Sequence, residues 1–255
     1  MGKGSHGSNL NGNYAPIRLS SGWKPTIWHD ILDFHAKNPH DAHNPWHSFE
    51  TKVRGLTVRK ELSASVSFVI GNRYKDATSY VAKANHDEMF DRFLRDSDWR
   101  NDPTNAEIYL DANQFVLSEL RKDPSRSPDP FKYCAEKLFG AKLKGINFLQ
   151  KSDSLVVAGV ELAPHGHQGP NGARGNHRNG IRTARRQVSG HEHSPASREG
   201  YLTVGTCHRF VPMPKYARGG ASGWAHTHGI VYPNGKTAHV FIHAGRARAL
   251  GRKRA

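Results

Sequence analysis

Three short apolar runs in this chain each break off at a polar group rich in histidine, a fourth such group follows a basic, Gly-rich loop, and this repeat constrains the fold most. Thr26-Ile27-Trp28 ends at His29-Asp30, and Tyr80-Val81-Ala82-Lys83-Ala84 ends at Asn85-His86-Asp87-Glu88. Leu155 to Leu162 leads to Pro164-His165-Gly166-His167, and the basic, Gly-rich loop leads through Val188-Ser189-Gly190 to His191-Glu192-His193. Short apolar runs bounded by turn residues read as buried strands. Open α/β sheets place their ligands at the carboxyl ends of such strands. The pattern therefore predicts an α/β chain whose strand ends share one cleft. Asp30 is a candidate carboxylate ligand there. The Asn85 side-chain oxygen can ligate a metal, and His86 can act as a proton donor. Asp87 and Glu88 would also suit the N-terminus of a helix running on through Met89 to Leu94, a role that leaves Asn85-His86 unexplained.

His191 and His193 project the same way if the backbone is extended, because strand side chains alternate. Gly190 before them allows a close backbone approach. Neutral imidazole is a good ligand for Zn, Fe, Ni and Mn. In a chain with 17 histidines such a pair carries little by itself; its weight comes from the three polar clusters upstream. The histidines between His35 and His47 read mostly as a polar surface loop.

Lys and Arg number 37 against 22 Asp and Glu, a formal charge of +15. Such an excess favours polyanionic partners, nucleic acid among them. Two cysteines, Cys134 and Cys207, are too few for a disulfide framework and read as reduced thiols. No apolar run is long enough to cross a bilayer, so a cytoplasmic location is expected. Residues 1–22 read as a flexible lead-in, 23–245 as one domain with a helical insertion near 89–140, and 246–255 as a basic tail, mobile or bound to polyanion. Within the domain, Lys52 to Ala64 reads as a helix and Val66 to Ile70 as a strand. A helix starts at Thr104, and Pro130 opens another that runs through Phe139. After His193 the chain reads as all β, with a hairpin turn at Pro233-Asn234-Gly235-Lys236. The Gly-rich stretch from Gly169 to Gly175 turns repeatedly. Arg174, Arg178, Arg182, Arg185 and Arg186 then recur at helical spacing, and glycine-loop amides with arginine forks suit phosphate.

In order, His29-Asp30, Ala84-Asn85-His86-Asp87, His165-Gly166 and Gly190-His191-Glu192-His193 resemble the later signature blocks of the calcineurin-like metallophosphoesterases. Those blocks are Gly-Asp, Gly-Asn-His-Asp/Glu, a lone His, and Gly-His-x-His. The resemblance spans Trp23 to Tyr232. The stretch from His165 through Gly175 looks like the phage-encoded branch, which includes DNA-entry and nuclease-like proteins. The resemblance implies an α/β/β/α sandwich with two central sheets, and one or two divalent cations (Mn, Fe, Ni or Zn). Asp30 would bridge two metals, Asn85, His165 and His191 would hold the second, and His193 the first. His86 would protonate the leaving oxygen or steady the transition state. Arg174, Arg178 and His167 would hold the substrate phosphate. Paired cations about 3.5–4 Å apart clamp phosphoryl oxygens and make hydroxide available near neutral pH. The implied activity is hydrolysis of phosphodiesters or phosphomonoesters, nucleic acid included.

The chain departs from that signature in three places. The first block, Asp-x-His, is missing, and His29 and Ala84 stand where the family has glycine. Three explanations fit: a start further upstream with a first strand now lacking, a single-metal site, or an inactive member that binds nucleic acid without turnover. A separate reading, a His/Asn nuclease site at Asn176-His177, has no second supporting block.

Overall fold

The computed structural model describes residues 25–208 and 217–243, together with the backbone of 246–249. The lead-in at 1–22 and the end of the basic tail lie outside the described residues.

Strands β1 (Thr26–His29), β2 (Ser79–Ala82) and β3 (Ile146–Leu149) form a parallel sheet in the order β1-β2-β3. Alternation sends neighbouring side chains of β1 to opposite faces. Trp28 packs on a large core shared with the helices, and Ile27 packs on a smaller cluster beyond the sheet. Helices α1 (Pro45–Val53), α2 (Val58–Asn72), α3 (Asn85–Asp96), α4 (Ala106–Lys122) and α5 (Pro130–Phe139) precede or interleave with these strands. Phe90 and Phe93 of α3, Ile108 and Ala112 of α4, and Phe131 and Ala135 of α5 enter the same core as β1–β3. Pro130 occupies the first turn of α5, capped by Asp129, as its sequence predicts.

Two stretches around α2 differ from the sequence reading. The expected strand Val66–Ile70 lies within α2. Val58, Leu62, Val66 and Val69 recur at helical spacing and are all buried, which outweighs the few tenths of a kcal/mol per residue by which β-branched residues disfavour helix. The single helix expected from Lys52 to Ala64 is broken in two. Gly55 takes a left-handed φ of 58°, and the Thr57 hydroxyl caps α2 by accepting from Lys60 N at 3.2 Å.

The second sheet contains β4 (Val156–Val157), β5 (Val160–Glu161), β6 (Gln187–Ser189), β7 (Ala196–Arg198) and β8 (Tyr201–Thr203), in the order β4-β5-β6-β8-β7. β5, β6 and β8 are parallel. The run Leu155–Leu162, expected as one strand, is a tight hairpin. Ala158 and Gly159 take φ of 49° and 76°, the left-handed pair that a two-residue hairpin turn requires. Val160, Leu162, Val188 and Leu202 form the cluster that receives Ile27, so the two sheets face each other. On the far side of β8, the Tyr201 ring lies so close to helix α6 (His177–Ile181) that a Cβ at Gly180 would sit 2.1 Å from it. The contacts thus stack helices, the β1–β3 sheet, the β4–β8 sheet and α6.

A third, antiparallel sheet holds β9 (Thr227–Val231), β10 (Thr237–His243) and β11 (Arg246–Ala249) in the order β11-β10-β9. Its hairpin turns at Asn234-Gly235, where Gly235 has a φ of 75°. The described residues therefore carry three sheets where two were expected, and the start of the basic tail is backbone-paired strand. Among the described residues no helix is long and apolar enough to cross a membrane.

Candidate functional site

The carboxyl ends of β1, β2, β5 and β6 point the polar clusters toward one region. Asp30 follows β1 with a φ of 55°, a left-handed conformation that only Asn, Asp and His adopt with any frequency among non-glycine residues. Ala84 precedes α3, and its N–H donates to Asp87 Oδ2 at 2.8 Å. Asp87 is thus the helix cap, and Asn85 and His86 open the first turn beside it. Ala84 has a φ of −108°, so nothing in its backbone demands glycine. His165 follows β5, where Glu161 fixes the chain: its Oε1 accepts from Leu155, Leu162 and Ala163 N at 2.9–3.0 Å. Gly190 N donates to His165 O at 2.9 Å. A Cβ at Gly190 would lie 3.2 Å from the His165 ring and 3.4 Å from His29 Cβ. This close approach is where the two sheets meet at the site.

Four imidazoles cluster there. The His165 ring lies 5.7 Å from His29, 5.6 Å from His167 and 5.5 Å from His191, and His167 lies 6.1 Å from His191. Two imidazoles bound at about 2.0–2.1 Å to one tetrahedral ion have ring centres about 5 Å apart, so these spacings suit a shared ion. Among the described residues no group of three or more His, Cys, Asp or Glu is already closed around one point. The stronger sign is unmet bonding. Buried atoms without a hydrogen-bond partner include His29 Nδ1, Asp30 Oδ1, Asn85 Oδ1, Asp87 Oδ1, both ring nitrogens of His165 and His167 Nδ1. Buried polar atoms are normally paired, and each unpaired one costs about 1–3 kcal/mol. Their concentration on imidazole, carboxylate and amide side chains marks this region as the candidate site.

His86 sits on the other flank. Its Nδ1 lies 3.2 Å from the Leu32 carbonyl, 3.5 Å from Asp30 and 3.9 Å from Asp33. The carbonyl can only accept, so Nδ1 carries a proton and Nε2 is the ring's other face to the site. Asp33 had no role in the sequence reading; only its place three residues after Asp30 could have suggested one. His191 and His193 do not form an extended pair. Both have left-handed φ, 73° and 59°, and their environments diverge. His191 joins the ring cluster, while His193 packs edge-on against Trp224 at 4.3 Å. Three non-glycine site residues, Asp30, His191 and His193, thus hold strained backbone, which tends to gather at functional positions.

The arginine face expected downstream does not form. α6 ends at Ile181 and contains only Arg178, which is exposed. Arg186 is turned away, donating to the Gly235 carbonyl. Arg174 is also exposed, but its charge is felt at His191. A tight loop places it there: Gly175 N donates to His167 O at 3.0 Å, and a Cβ at Gly175 would strike the Gly166 carbonyl. Asn176 and His177 are structurally engaged. Asn176 caps α6, and His177 Nδ1 lies 2.7 Å from the Thr203 hydroxyl.

Burial sets the electrostatics. It pushes the Asp30 carboxyl up and the Asp87 carboxyl well up, each at a cost to the charged form. It lowers His29, His191 and His193 to about 4 and His165 well below its usual value. These four rings are therefore neutral at pH 7, the form that binds metal. His29 also has a hydrogen bond to the Leu162 backbone. A histidine with a lowered folded pKa stabilises the fold above its unfolded pKa, and that stability is lost as pH falls through the window. The wild type is thus expected to lose about 3 kcal/mol relative to His29→Gln between pH 6.5 and 4. Comparing denaturant midpoints at the two pH values cancels the buried acids, which titrate in the opposite sense. An unchanged difference would mean that the ring is hydrated.

No protein-family profile matches the chain, and no solved structure matches it. Protein A1 of Escherichia phage T5 is 27% identical over 234 residues, covering 86% of this chain. The chain spans 39% of the length of that phage protein.

Proposed function

We propose that this chain is a metal-dependent phosphoesterase of the calcineurin-like type, acting on phosphodiesters and built for a polyanionic substrate such as nucleic acid. One observation carries the reading: Asp30, Asn85 and His165 bring buried, unpartnered ligand atoms to strand ends in the chain order of that family's signature. The stacking of helices, two facing sheets and α6 supports the corresponding sandwich, with β9–β11 added to it. Asp30, Asn85, His165 and His191 would hold divalent cation, with His193 at its edge. When bound, such a cation supplies Lewis acidity and a nucleophilic water near neutral pH. Arg174 draws the phosphate toward His191. His86, held by the Leu32 carbonyl, presents Nε2 for the proton that the leaving oxygen takes.

The test is hydrolysis of bis-p-nitrophenyl phosphate by the purified chain with Mn2+, with and without chelator. Metal-dependent turnover that fails in His191→Ala supports the proposal. No turnover with any divalent cation, alongside salt-sensitive DNA binding, favours the alternative of binding without catalysis, which the +15 charge would serve equally.

A further inference from the structure

Two residues beyond the lone histidine of the signature, a second imidazole is held in a metal-ligand posture. His167 Nε2 lies 3.2 Å from Glu88 Oε1, and the same carboxylate oxygen takes Lys151 Nζ at 2.8 Å. A carboxylate accepts, so the ring proton is on Nε2 and the lone pair is on Nδ1. That Nδ1 is buried and has no partner. The ring centre is 5.6 Å from His165 and 6.1 Å from His191. The backbone fixes this placement, since Gly166 takes a φ of 104° and Gly175 N bonds the His167 carbonyl. Glu88 belongs to the first turn of α3, three residues after Asn85, so one helix end supplies both a candidate ligand and the group that orients a second.

We infer that His167 is a metal ligand and Glu88 its positioning residue, a carboxylate–histidine–metal arrangement in which the carboxylate sets the tautomer and the ring's direction. Lys151 pairs with Glu88 and confines it to that task. His167 then serves cation rather than phosphate. The inference rests on the proposed metal reading.

Mn2+ binding to the full chain tests it, by calorimetry and by counting imidazole nitrogens through their modulation of the Mn2+ electron spin echo. His167→Ala is expected to weaken Mn2+ binding by about tenfold to a hundredfold and to remove one nitrogen. Glu88→Ala should weaken binding over a similar range. Glu88→Gln, which keeps an acceptor for Nε2–H, should weaken it less and preserve the nitrogen count. Unchanged affinity and nitrogen count, with KM for the phosphodiester raised, would place His167 on the substrate and overturn the assignment. No Mn2+ binding by the wild type would overturn the metal reading itself, and this assignment with it.

Discussion

Asp30→Asn is expected to stabilise the metal-free chain and to abolish both its response to metal and its activity. The backbone should accept the change, because Asn tolerates the left-handed φ of 55° that Asp30 adopts. The Asp30 side chain is half-buried, its Oδ1 is enclosed without a hydrogen bond, and desolvation together with the Asp33 charge pushes its pKa up. A raised carboxyl pKa means that ionisation destabilises the fold as pH rises through that window; the amide removes this cost. A gain of about 1–3 kcal/mol follows if the lost penalty is that of one buried, unmet charged group. In a chain of this size that raises Tm by several degrees, at about 2–4 °C per kcal/mol. Metal reverses the ranking. At about a hundred times Kd, Mn2+ should add about 2.7 kcal/mol to the wild type and almost nothing to the variant. Phosphodiester hydrolysis should fall by about 10³-fold or more, about 4 kcal/mol of transition-state stabilisation. Thermal melts with Mn2+ and with chelator measure the crossing directly. A variant that keeps the full Mn2+ shift would place the cation elsewhere.

The strand ends were legible because each joins two unlike signals, an apolar run and an abrupt polar cluster. Asp30, Asn85, His86 and His165 all stand at such junctions, whereas His191 stood out only by its Gly-His-x-His pattern. Pro130 and Asn234-Gly235 were legible for a different reason: their backbone preferences act locally. Where the outcome depended on which face meets which neighbour, sequence alone failed. Val66 to Ile70 has strand-type residues, yet Val58, Leu62, Val66 and Val69 line one helix face against β1–β3. The five arginines have helical spacing, but α6 is halted after Ile181, and Ala184 turns left-handed at a φ of 53°. His191 and His193 looked like an extended pair because alternation presumes a strand; positive φ at both sends one to the ring cluster and the other to Trp224. The pairing of Glu88 with His167 joins residues 79 positions apart, and nothing local announces it.

His86→Ala separates proton transfer from metal binding. The ring is bonded by Nδ1 to the Leu32 carbonyl at 3.2 Å and lies 3.5 Å from Asp30, so its removal leaves the other ligand-type side chains in place. The Mn2+-induced rise in Tm should therefore persist in this variant, in contrast to Asp30→Asn. Turnover should fall by about 10²–10⁴-fold, the range of a positioned general acid. The size of the loss should depend on the leaving group. A nitrophenolate departs as a stable anion and needs little protonation, whereas the alkoxide of a nucleoside needs a proton as the bond breaks. The loss on a dinucleotide should thus exceed the loss on bis-p-nitrophenyl phosphate. Asp33→Asn should show the same dependence more weakly, since its carboxylate lies 3.9 Å from Nδ1, farther than Asp30 at 3.5 Å. Equal losses on both substrates would assign His86 to holding the phosphoryl group instead of delivering a proton.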